Sequence, residues 1–113
     1  MSAAPIRRTP PPMPGRTPRG LREAIATHTP ELLAEFEDEW KRFVADTYNV
    51  APVPAFVTRW WERFALARDA ELSAHVRDLS ERAAGTDSHA EAMALMEQVS
   101  EIKYSLRGLE PGE

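Results

Sequence analysis

The strongest helical pattern in this chain lies at residues 29–47, TPELLAEFEDEWKRFVADT. The segment begins with a threonine, a proline and an acid, which suit an N-cap, a first helical turn and the positive end of a helix dipole. One stripe of residues then recurs at intervals of three or four, as on the buried side of a helix; it comprises Leu32, Leu33, Phe36, Trp40, Phe43, Val44 and Thr47. The segment therefore predicts a long amphipathic helix that ends near Tyr48 or Asn49.

Two prolines end this pattern and begin the next one. Pro52 and Pro54 force the chain out of a helix and then fit a new first turn, so a further helix is predicted over about Pro54 to Arg68. Asp69 can cap another helix, which would stop at Gly85 because glycine is common at left-handed helix ends. The residues around Asp69 include neither proline nor glycine. The pattern therefore leaves open whether these two helices are one continuous rod.

The C-terminal part predicts a further helix. Ser88 and Glu91 match the S-x-x-E capping box, and Gly108 closes the pattern. Between them runs an a/d seam, which comprises Ala92, Leu95, Val99, Ile102 and Leu106. Packing inside a bundle or against the same helix of a second copy explains this seam equally well.

The N-terminal part combines a short helix with a proline-rich arm. Thr17 can cap a helix that starts at Pro18 and ends near His28. Before it, residues 1–16 contain five prolines and few large apolar side chains, which predicts disorder. The predicted fold is all-α, a small four- to five-helix bundle: a disordered Pro/Arg-rich arm over 1–16, a helical domain over 17–108 and a disordered tail over 109–113.

Charge is divided unevenly along the chain. Residues 1–22 contain five arginines and no acid, so this segment has a net charge of +5. The rest of the chain contains the other nine basic residues and all 18 acids, so its net charge is −9. Dispersed arginines make weak, salt-dependent contacts with nucleic acid and read no sequence, and the same arm can fold back on the acidic body. The candidates for nucleic-acid contact are Arg7, Arg8, Arg16, Arg19 and Arg22.

Motifs for enzymatic chemistry are missing from the sequence. The chain has no cysteine, so thiolate metal sites and cysteine nucleophiles are excluded. The histidines lack the i, i+4 spacing of zinc ligands, no serine lies in a nucleophile elbow, and the five glycines are dispersed. Glu71, His75 and Asp78 align on one helix side, where a solvated edge is the simpler interpretation. The sequence therefore predicts a non-enzyme with no cofactor and no metal.

Hydropathy predicts the compartment. No segment approaches the roughly 20 apolar residues of a membrane span. The N-terminal arginines are followed by prolines and not by the apolar core of a secretory signal. We therefore expect a cytoplasmic protein with no membrane contact.

Two groups of residues are candidates for binding a protein partner. One is the acidic side of segment 29–47, Glu35, Asp38 and Glu39, whose charges would steer a basic partner. The other is the pair Trp60 and Trp61, which differ by about 100° around a helix, so both fit a wide apolar stripe only if one lies at its border, where it would serve as a binding hot spot. Packing of the pair in the core is the simpler interpretation, and stacking on nucleic acid beside neighbouring arginines is a third.

Three segments carry a resemblance: TPRGLREAI at 17–25, PELLAEFEDEW at 30–40 and APVPAFVTRWW at 51–61. Together they resemble a family of small uncharacterised proteins from actinobacteria such as Streptomyces, over about residues 17–84. Genes of that family are sometimes found near RelE-like toxins. The resemblance therefore implies an antitoxin-like or regulatory role with a protein partner, and it implies no catalytic residues.

The sequence as a whole predicts a non-enzymatic protein-interaction module, antitoxin-like or regulatory. Its acidic helical surface would bind a protein partner, for example a basic toxin-like one. The alternative is a DNA-associated regulator that uses the basic arm, alone or presented twice by a homodimer through the C-terminal helix.

Overall fold

The computed structural model describes residues 9–113, and all its regular structure is helical, with no strand among those residues. The predicted all-α class is confirmed. Short connections join the helices, as is usual for small bundles. Within residues 9–113 the five α-helices are α1 (Pro18–His28), α2 (Leu33–Phe43), α3 (Val53–Ala67), α4 (Ala70–Gly85) and α5 (His89–Arg107).

Helix α1 starts as its sequence predicts. The Thr17 hydroxyl accepts a hydrogen bond of 2.9 Å from the backbone nitrogen of Gly20, and Pro18 occupies the first helical position. A side chain at Gly20 would collide with the carbonyl oxygen of Gly15. Only glycine therefore lets the preceding loop approach the first turn of α1 so closely.

The long helix predicted over residues 29–48 is wrong in detail, because the segment is divided into three pieces. A 3-10 turn (Pro30–Leu32) precedes α2, and a second (Ala45–Thr47) follows it before Tyr48 takes the left-handed conformation with φ of 53°. Thr29 does not cap the helix, since its backbone nitrogen still donates to the last turn of α1 and its hydroxyl is buried without a partner among the described residues. With a single residue linking two helical segments, the end of α1 fixes the backbone of Thr29.

Asp69 separates the helices α3 and α4, which the sequence left open as one continuous rod or two. Its side chain accepts a hydrogen bond of 3.0 Å from the backbone nitrogen of Leu72, which makes it the N-cap of a separate α4. Helix α4 ends at Gly85 as predicted, but without the left-handed glycine, because Thr86 is the extended C-cap. The cap expectation for Ser88 is confirmed, since its hydroxyl accepts from the backbone nitrogen of Glu91 at 3.2 Å.

Two apolar clusters hold the helices together. The larger lies among α1, α2 and α3 and is centred on Trp60, Trp61 and Phe64, which are fully buried. The smaller lies between α4 and α5. Leu66 and Ile102 pack against both clusters, so α3 and α5 connect the two halves of the core. The a/d seam of α5 is therefore largely used inside the chain.

Both predicted disordered ends need correction where the structure describes them. Met13 is buried in the main core, and its carbonyl oxygen accepts a hydrogen bond of 2.8 Å from the backbone nitrogen of Gly112. Arg68 Nη1 donates to the carbonyl oxygen of Pro11 at 2.8 Å, and Leu109 packs against the same core. Residues 9–16 and the tail thus pair with each other and cover the bundle, while residues 1–8 lie outside the described part.

We expect Met13→Ala to lower the free energy of unfolding by about 2 kcal/mol, since it leaves a cavity at a core position that surface relaxation partly closes. Urea denaturation followed by circular dichroism measures this value. Met13→Leu, which conserves the volume, is the matched control and should cost clearly less. An unchanged unfolding midpoint for Met13→Ala would show that the segment does not pack as described.

Candidate partner-binding surfaces

The predicted acidic side of α2 is neutralised by arginines. Glu35 Oε2 accepts a hydrogen bond of 2.5 Å from Arg63 Nη2, and this hydrogen bond is the main reason why the pKa of Glu35 lies below its usual value. Asp38 pairs with Arg42 at 3.5 Å one turn later. Both acids are exposed, but their charges are balanced by neighbours. Because both acids are paired with arginines, this side of α2 has little net negative charge with which to attract a basic partner.

Glu39 is a core group and not a surface charge. It is only 5% exposed, its Oε2 accepts a hydrogen bond of 2.8 Å from Trp60 Nε1, and its Oε1 accepts one of 2.6 Å from Arg59 Nη2. Its assignment to partner binding is therefore corrected. The sequence did contain the signal, because Glu39 stands three residues after Phe36 and four before Phe43, on their side of the helix.

Trp60 and Trp61 are both fully buried, so the simpler interpretation of core packing describes them and the border hot spot is wrong. Arg16 lies over the Trp61 ring at 4.9 Å, and Trp61 Nε1 donates to the carbonyl oxygen of Leu109 at 3.1 Å. Helix α3 is enclosed on two sides, by the rest of the bundle and by the two chain ends. Helical periodicity depends on one helix at a time and carries no information about chain ends that pack over it.

The described arginines of the predicted basic arm are engaged within the chain. Arg16 Nη1 donates to the carbonyl oxygen of Arg107 at 2.9 Å, Arg19 pairs with Glu23, and Arg22 pairs with Glu37. Arg19 and Arg22 line one groove together with Glu37, whereas Arg16 contacts the C-terminal end of α5, and Arg7 and Arg8 lie outside the described residues. No observation here favours the DNA-associated alternative.

A groove between α1 and α2 is mostly apolar. It has a volume of about 450 Å³ and offers aromatic and proline surface flanked by one ion pair. Its chemistry suits an apolar side chain, but it has no acid and base arranged around a reacting atom. Its lining comprises Pro18, Arg19, Arg22, Phe36, Glu37 and Trp40.

One side of α5 exposes large apolar residues in a row. Met93 is 59% exposed, Met96 44% and Tyr104 75%, and Ser100 lies between them. We call Met93, Met96, Ser100 and Tyr104 the outer face of α5. At 100° per residue they fall within about 80° of the helix circumference, about 120° from the buried seam. Two shallow hollows of about 610 Å³ and 470 Å³ follow this face.

The outer face is hard to recognise in the sequence, because the apolar seam beside it explains the helix by itself. The signal was present as a second series of intervals, three from Met93 to Met96 and eight from Met96 to Tyr104. The other exposed large apolar residues are Phe43 at the last position of α2, and Tyr48 and Val50 on the connection between α2 and α3. Among residues 9–113, the outer face of α5 is where several such residues share one side of a helix.

The described residues add two findings about ligands and membranes. Within residues 9–113, no cluster of three or more histidine or acidic side chains is arranged to hold a metal ion. In that same range, no helix has both the length and the apolar character that a bilayer crossing requires.

Comparison with known proteins gives one match. The sequence model of a family described as a family of unknown function (DUF6247) matches residues 9–106. No curated protein and no solved structure matches the chain.

Proposed function

This chain belongs to DUF6247, a family of unknown function, and from that premise we propose that it is a non-enzymatic protein-interaction module that binds its partner through the outer face of α5. The observation that carries the proposal is the exposure of three large apolar side chains on one side of a regular helix. Exposing them to water is unfavourable, and contiguous apolar patches on a soluble domain commonly mark interaction sites.

The chemistry of the outer face suits protein recognition. Methionine side chains are flexible and polarisable and adapt to the shape of a partner. Tyrosine adds a large ring and a hydroxyl, which is why it is common among binding hot spots. Exposed Glu97 and Lys103 flank the apolar residues. They provide the polar rim that surrounds the centre of typical interfaces.

An antitoxin, the role that the resemblance implies, would be one kind of protein-interaction module. It requires a partner of different sequence seated on this face, in place of the acidic side of α2 that the sequence suggested. The identity of the protein that contacts Met96 in the cell therefore tests both the surface and this finer role.

We expect a photo-crosslinking amino acid at Met96 to give a light-dependent covalent adduct in the cells that naturally produce the protein. The same amino acid at Gln98, which is exposed on another side of α5, is the matched control and should give a several-fold lower yield. Mass spectrometry of the adduct identifies the partner. Equal yields at both positions, or no adduct at Met96, would refute the outer face as a binding site.

A further inference from the structure

We infer that the partner of the outer face of α5 is a second copy of this chain, whose α5 packs against it in antiparallel orientation near Ser100. This inference rests on the proposed function, because it names the occupant of the same surface. It differs from the seam that the sequence suggested for a dimer, since that seam packs on α3 and α4 within the chain.

The charges along the face favour the antiparallel orientation. The first half of the face carries Met93 and Met96, and Lys103 follows in the second half. Arg107, further along, is neutralised within the chain by an ion pair of 2.7 Å with Glu62 of α3. A parallel pair would place Lys103 of one copy beside Lys103 of the other, which is unfavourable. An antiparallel pair instead lays the aliphatic stem of Lys103 over Met96 of the other copy, with the ammonium group in water.

The acid beside the outer face, Glu97, also favours the antiparallel orientation. Glu97 and Tyr104 lie seven positions apart, on the same side of the face and almost symmetrically around Ser100. An antiparallel pair therefore brings the Tyr104 hydroxyl of one copy toward the Glu97 carboxylate of the other, where it can donate a hydrogen bond. Neither Glu97 nor Lys103 forms an ion pair within residues 9–113.

The size of the residues suits a twofold axis at Ser100. Ser100 is the small residue at the centre of the row, where two helices can approach most closely. The pair is isologous, so the same side chains serve both copies. Helix α5 has 19 residues and is about 28 Å long. One helix pair of this length lies near the lower end of stable interface sizes, so we expect dissociation at micromolar concentration.

Two measurements on the full chain test the inference. Sedimentation velocity should show a dimer at high micromolar concentration, and Ser100→Arg should convert it to a monomer without changing the thermal midpoint, since Ser100 is exposed. Gln98→Arg adds the same charge on another side of α5 and should leave the dimer intact. A wild-type chain that stays monomeric, or a dimer that tolerates Ser100→Arg, overturns the inference.

Engineered disulfides test the orientation, because the chain has no cysteine of its own. Under mild oxidation, Met96→Cys and Lys103→Cys should each form little covalent dimer alone, since the two equivalent positions are then too far apart for a disulfide. An equimolar mixture of the two variants should form several-fold more. Efficient linking of each variant with itself, without a gain on mixing, would contradict the antiparallel pair.

The photo-crosslinking result separates this inference from the proposed function. A monomeric chain whose Met96 adduct contains a different protein refutes the second copy and keeps the outer face as the binding surface. A monomeric chain without any Met96 adduct refutes both. An adduct of twice the chain mass of 12.7 kDa supports both.

Discussion

Trp60→Ala is expected to lower the free energy of unfolding by about 3–5 kcal/mol, the range for removing a fully buried large aromatic side chain. Trp60 has no exposed surface, and its ring lies 5.1 Å from that of Phe36 and 4.7 Å from the Arg63 guanidinium carbon. A domain of this size has a total stability of roughly 5–15 kcal/mol. The variant should therefore be largely unfolded under conditions that the wild type tolerates.

Urea denaturation followed by circular dichroism measures this loss. Trp60→Phe is the informative companion, because it keeps most of the ring packing and removes the indole nitrogen that donates to Glu39. We expect it to cost about 1–3 kcal/mol, mainly for the buried carboxylate left without that donor. A Trp60→Ala protein with a near-normal midpoint would mean that Trp60 is not at the centre of the core.

Glu39→Ala is expected to cost about 3 kcal/mol. The substitution leaves a small cavity and deprives the buried Trp60 indole of its acceptor. The pair with Arg59 contributes less, because the Arg59 side chain is 59% exposed and water screens its charge. Glu39→Gln keeps an oxygen that can accept from the indole and should lose clearly less stability.

Glu35→Ala, one turn earlier on the same helix, is the matched control for Glu39→Ala. Its carboxylate is exposed and paired with Arg63, so its removal should leave the unfolding midpoint nearly unchanged. The double variant Glu39→Ala with Trp60→Phe should cost less than the two single variants added together, because both remove the same hydrogen bond. Strict additivity would show that Glu39 and Trp60 do not interact.

Local signals in the sequence predicted most helix boundaries correctly. Thr17 and Ser88 cap the helices for which their positions predicted caps. Thr29 has the same sequence signature and fails, because it also ends α1 and its backbone cannot serve both roles. A cap depends on groups three residues apart, so it can be predicted unless a neighbouring helix uses the same residue.

Surface and core were harder to separate from the sequence. Met13 stands among prolines and was assigned to a disordered arm, yet it is buried in the main core. Composition describes the average of a segment, whereas a single side chain in a bundle crevice is enough to anchor it. The outer face of α5 shows the opposite error, since its methionines are apolar in sequence and exposed in the fold.

The sequence by itself determined the helical class, the separate α5 and most points where helices begin, because periodicity and caps act within one or two turns of chain. The tertiary structure decided which residues face water. Arg16 and Leu109, 45 and 48 positions away from Trp61, cover that tryptophan, and Arg59 and Trp60 hold Glu39 in the core. Burial depends on contacts between segments far apart in sequence, and those contacts exist only once the helices have packed.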